Sequence, residues 1–133
     1  MPFPVDERWI REAEEALGRR LPDSYRERMM RDNGGEFDTA GDTWALYPVY
    51  DRSDRKRIKR TCNHLVLETQ SALSWAGFPK HAVAIACNGS GDLLVLLPDR
   101  HNPSTFEQVV YLWSHETREV QAVGEFDALG ASA

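Results

Sequence analysis

Four stretches of this chain hold residue types that do chemistry. They are His115-Glu116-Thr117-Arg118-Glu119, the scattered set Cys62, His64, His81 and Cys87, the turn-like Gly89-Ser90-Gly91, and the basic run RSDRKRIKR at residues 52–60. The first looks like half of a zinc-protease motif. That chemistry needs two histidines one helical turn apart on one face. Here the last position is Glu119, and the segment reads as a turn between strands. The cysteines and histidines are spaced C-x-H and H-x5-C, which matches no common zinc finger, and both cysteines fall on expected core faces. Gly89-Ser90-Gly91 lacks the Gly-Lys-Ser/Thr ending of a phosphate loop and the strand-to-helix setting of a nucleophilic serine. Glu68 with Glu119 or Asp92 would make a carboxylate pair, but nothing in the sequence brings them together. The reading therefore assigns no catalytic residue, no metal and no cofactor.

The basic run sets Arg52, Arg55, Lys56, Arg57, Lys59 and Arg60 against Asp54 alone. Such a patch suits phosphates, but no aromatic is interleaved for base stacking. It reads first as a solvated helix face with Ile58 turned inward. The rings Trp44, Tyr47, Tyr50, Trp75, Tyr111 and Trp113 are numerous for 133 residues. Most are expected in the core, and those left exposed would anchor a protein partner. Pro48, beside Tyr47 and Tyr50, marks that edge as the place for exposed rings.

The elements that must position these residues follow from pattern. Residues 82–97, AVAIACNGSGDLLVLL, read as a central β-hairpin. Val83, Ile85 and Cys87 face one way and Ala82, Ala84 and Ala86 the other. The second arm is apolar on both faces, as in a covered strand. Asp6 caps a first helix with Trp9, Ile10, Ala13, Ala16 and Leu17 on one face, stopped at Gly18. A second helix carries Leu21, Tyr25, Met29 and Met30 and ends at Asn33-Gly34-Gly35. Residues 36–49 form a smaller hairpin. Ile58, Cys62, Leu65, Thr69 and Ala76 recur as in one long middle helix, with a break allowed at residues 61–63. Val109 to Trp113 and Val120 with Ala122 supply further strands, and Phe126 and Leu129 a short C-terminal helix. One domain over residues 1–133 is expected, in the α+β class, with a mostly antiparallel sheet flanked by helices.

Composition narrows the function classes. The net charge of −5 favours solubility and disfavours nucleic acid as a general partner. No apolar run approaches a membrane span. The N-terminus has neither a basic n-region nor an apolar h-region, so a cytoplasmic location is expected. Two cysteines in that setting are expected as free, buried thiols.

The order of parts resembles one family. GRRLPDSYRERMMRDNGG looks like the Leu-Pro…Tyr…Asn-Gly-Gly signature of the SUKH superfamily, in its Smi/Knr branch. ALYPV matches the strand that follows. ETQSALSWAGFP with AVAIACNGSGDLLVL is similar to its helix, hairpin and Gly-Asp turn, and VYLWSHETREV to its strand-turn-strand. GEFDALG looks like its closing segment. The chain departs at Ser114, where the family pattern has Asp, and at Cys87-Asn88, where an acid is common. The resemblance covers roughly residues 9–129. It implies an α+β fold and a non-catalytic role. Bacterial members are mostly immunity proteins that bind and neutralise a toxin domain, often a nuclease, and fungal members are scaffolds in cell-wall signalling.

The expected role is thus a protein-binding domain whose partner is a cognate toxin domain. A regulatory scaffold of the same fold and a nucleic-acid binder using residues 52–60 stand as alternatives. The partner-facing candidates are Trp44, Tyr47, Tyr50, Gly91, Asp92, Trp113, His115 and Glu116. No small-molecule substrate is evident, and the oligomeric state is left open.

Overall fold

A computed structural model describes residues 3–126. The elements run α1 (Glu7–Leu17), α2 (Asp23–Arg31), β1 (Glu36–Thr39), β2 (Asp42–Leu46), α3 (Arg55–Arg60), α4 (Leu65–Ala72), β3 (Val83–Cys87), β4 (Leu93–Pro98), β5 (Phe106–Trp113) and β6 (Val120–Glu125). The six strands form one antiparallel sheet in sequence order. The fold is α+β with two N-terminal helices. The expected C-terminal helix at Leu129 lies outside the described residues.

Local chemistry sets the helix ends. Asp6 Oδ1 accepts from the Arg8 N–H at 2.9 Å and starts α1, and Gly18 takes φ 78° to end it. Asp54 caps α3 through the Arg57 N–H at 2.8 Å. The middle segment runs as two helices, interrupted where the pattern allows. Thr61 Oγ1 donates back to the Arg57 carbonyl at 2.7 Å, a bond that competes with helix continuation. His64 Nδ1 then accepts from the Leu67 N–H at 3.2 Å and starts α4 afresh. The interruption corrects two expectations. Cys62 is exposed, and Ile58 is 37% exposed, because neither follows a continuous helical stripe into the core. Both cysteines are free.

One face of the sheet packs Ile10, Tyr25, Met29, Trp44, Leu65, Ile85, Leu94 and Val110 into the main core. The other face carries a smaller cluster, in which Ala72, Phe78 and Ala82 cover Ala84, Leu93, Val95 and Trp113. A bulge between Ala84 and Ala86 puts both Ile85 and Ala86 in the main core. It also moves Cys87 to the second face, against the simple alternation expected.

β2 meets β3 only through Ala45↔Cys87 and Leu46↔Ala86. Just past β2 the Tyr47 N–H donates to the Ile85 carbonyl at 2.8 Å, and further along that edge of β3 Thr69 Oγ1 of α4 accepts the Ala84 N–H at 2.9 Å in place of a strand partner. Asn33 does similar work for the segment after β2. Its amide donates to the Val49 carbonyl at 2.8 Å and accepts from the Val49 N–H at 2.7 Å. Arg26, buried with only 7% of its surface exposed, bridges Glu7 at 3.0 Å and Glu14 at 3.2 Å and ties α1 to α2.

Candidate protein-binding rim

In an antiparallel meander, alternate turns share one end. Here those turns are β1–β2, β3–β4 and β5–β6. The first is a two-residue turn, Ala40 at φ 52° and Gly41 at φ 75°, as expected of the type that matches strand twist. In the second, Asn88 Oδ1 accepts from the Ser90 N–H at 2.9 Å. In the third, the Arg118 N–H donates to the Ser114 carbonyl at 2.7 Å, and Arg118 takes φ 62°.

Side chains lace the three together. Asn88 Nδ2 donates to Asp42 Oδ2 at 2.9 Å, joining the first turn to the second. Asp92 Oδ1 accepts from the His115 N–H at 3.1 Å and pairs with His115 Nδ1 at 2.7 Å, joining the second to the third. The His115 ring lies over Gly91, 3.1 Å from where a Cβ would stand, so glycine is the residue that admits it. Partial burial raises the Asp92 carboxyl. The hydrogen bonds from His115, its charge and the Asn88 amide outweigh that and hold it below its ordinary range.

This end of the sheet brings together Gly91, Asp92, His115 and Glu116 from among the sequence-predicted positions, with Asp42, Glu119 and Arg118 beside them. Gly91, His115 and Glu116 are exposed and Asp92 partly so. Trp44 and Trp113 are corrections. They are 1% and 2% exposed, because each alternates onto a packed face of the sheet. Their ring N–H groups are used internally, Trp44 to the Thr39 carbonyl at 2.9 Å and Trp113 to the Gly77 carbonyl at 3.1 Å. Tyr47 is half-buried against both core clusters. Tyr50 stacks on His64, with ring centroids 4.6 Å apart, and lies with Trp9 and Glu12 around a small cleft away from the turns.

The ring that does reach solvent near the rim is Trp75, at 43% exposure. It stacks on Trp113 at 6.0 Å, and Trp113 pairs with Val120, itself 39% exposed, across β5–β6. Trp75 was legible as an aromatic but not as a surface one, since it sits past Ala72, the last buried residue of α4. The basic run lies at the other end of the β1–β2 hairpin. There Lys56, Arg57 and Arg60 stand within 5.4 Å of the Phe3 ring, and Arg57 pairs with Asp54 at 2.6 Å. Arg52 pairs with Glu12 at 2.7 Å. Among the described residues no cluster of three or more His, Cys, Asp or Glu side chains is placed to hold a metal ion, and no helix is long and apolar enough to cross a membrane.

The geometry defines a small α+β domain with a cross-linked rim of polar turns. The chain belongs to the SMI1 / KNR4 family (SUKH-1), whose pattern matches residues 4–125. No curated protein and no solved structure matches it.

Proposed function

We propose that this chain is a non-catalytic, cytoplasmic immunity protein that binds and neutralises a cognate toxin domain through the turn rim. Family membership supports the class. The observation that supports the surface is the hydrogen-bonded lacing of Asp42–Asn88 and Asp92–His115, which holds three turns in one arrangement before any partner arrives. Preorganisation of that kind lowers the ordering cost of binding. Asp42, Asp92, Glu116 and Glu119 outweigh Arg118 there, so the rim suits a basic partner such as a nuclease-type toxin domain. Trp75, backed by Trp113, has the anatomy of a hot-spot anchor beside a charged rim. Inhibition by this route needs occlusion and charge complementarity, and no reactive group. The scaffold reading shares the fold but predicts several weak partners.

The test is to search beside this chain's gene for a toxin domain and co-produce the two. Parent chain should restore growth. A Glu116→Lys/Glu119→Lys double variant that folds normally should fail. Full protection by that variant would remove the rim from the interface.

A further inference from the structure

At the end of the sheet away from the turns, a cleft of about 250 Å³ opens between the C-terminal part of α1, α4, the loop before β3 and the start of β5. Its polar lining is Arg19, Thr69, Gln70, Lys80 and His81, and no Asp or Glu lines it. Arg19, Lys80 and His81 have no hydrogen bond or ion pair from their side chains among the described residues, although the chain carries a net charge of −5. The Arg19 guanidinium stands 6.0 Å over the Phe106 ring, and its Nε is buried without an acceptor. Thr69 uses its oxygen to accept the Ala84 N–H, which leaves its own proton to donate. Leu17, Val66, Ala82 and Phe106 give the cleft apolar walls.

We infer that this cleft binds a small phosphate monoester. Its polar groups are mostly donors. The Arg19 Nε is buried without an acceptor, a cost that a bound anion removes, while Gln70, Lys80 and His81 are exposed around it. Two cationic side chains, Arg19 and Lys80, with an imidazole, a hydroxyl and an amide match a dianion with three acceptor oxygens better than a carboxylate with two. The apolar walls accept the body of the ester. The volume falls below the ~300–1,000 Å³ of sites for larger ligands, so the body is small. This site is separate from the turn rim and does not depend on the immunity reading.

The test is titration of the full chain with phenyl phosphate, inorganic phosphate and acetate, followed by ¹⁵N NMR. Saturable shifts are expected at Arg19, Thr69 and His81, with phenyl phosphate binding at least several-fold tighter than inorganic phosphate and acetate weakest. Arg19→Gln should weaken phenyl phosphate tenfold or more. Lys80 is exposed, so Lys80→Gln keeps the fold and should weaken binding several-fold. Shifts centred on residues 55–60, unchanged binding by Lys80→Gln, or no saturation in the millimolar range would overturn the assignment. Acetate binding as well as phosphate would overturn it too. A phosphoserine peptide binding more tightly than phenyl phosphate would overturn the small-molecule source.

Discussion

One carboxylate oxygen, Asp92 Oδ1, lies 2.7 Å from His115 Nδ1 and 3.1 Å from the His115 backbone nitrogen, and so joins the second turn of the rim to the third. Because the folded state holds the Asp92 carboxyl below its ordinary range, the stabilisation it gives is present above the unfolded carboxylate pKa of about 3.9. It is lost as pH falls through the lowered folded value. Asp92→Asn should therefore melt below the parent at neutral pH, and the gap should close in acid. Melting curves of both proteins across that range check this, and a gap independent of pH contradicts it.

His64 behaves in the same sense for a different reason. Burial lowers its pKa, and its Nδ1 must stay unprotonated to accept the Leu67 N–H. Its contribution is complete above the unfolded value of about 6.5 and falls as pH drops through the lowered folded one. His64→Asn keeps a capping oxygen and removes the titration. Its stability should be flatter between neutral and mildly acidic pH, as read by urea denaturation. Equal pH slopes for the two proteins would show that His64 is not the titrating cap.

Tyr25 is fully buried, and its hydroxyl has no hydrogen-bond partner. Its ring packs edge-on against Phe126 at 5.4 Å. Tyr25→Phe keeps the ring and removes an unsatisfied group, so it should stabilise the fold by about 1 kcal/mol. Denaturant unfolding measures this directly, and a loss of stability would mean that the hydroxyl is satisfied by an ordered water.

Gly77 and Gly18 share nearly the same backbone, φ 81° and 78°. A Cβ on Gly18 meets nothing within 4 Å, whereas on Gly77 it would stand 2.6 Å from Arg118 Cβ. Gly18→Ala should cost only the left-handed backbone strain, about 1–2 kcal/mol. Gly77→Ala should cost clearly more and disturb the Trp75–Trp113 stack, visible as a change in tryptophan fluorescence. Equal losses for the two would show that the Arg118 approach is soft.

How much of this was legible in the sequence differs by kind of signal. Helix caps, the two hairpins and the strands after them are readable, because Asp6, Gly18 and Asn88-Gly89 act through local backbone chemistry. The inward side of β3 was misread after Ala84, because a bulge depends on how β4 pairs and leaves no mark in the alternation. Cys62 and Ile58 were misplaced because Thr61 and His64 restart the helix through contacts with their own neighbours. At the rim, Gly91, Asp92, His115 and Glu116 were found as turn residues. Trp44 and Trp113 read as partner-facing rings by residue type, yet their faces are covered by tertiary packing. Nothing in the sequence marks Trp75 as a surface ring, because its exposure depends on where α4 ends, a boundary that periodicity does not locate.

The central claim is that the rim of turns holds a single toxin domain. The most direct measurement places a photo-crosslinking residue at Glu116 and, separately, at Lys59 on α3, in full-length chain exposed to lysate of its own organism. The predicted result is one dominant adduct from position 116, to a basic domain whose toxic activity the chain abolishes, and none from position 59. Adduct formation from position 59 alone, or an equal spread of many proteins from both positions, would contradict the account.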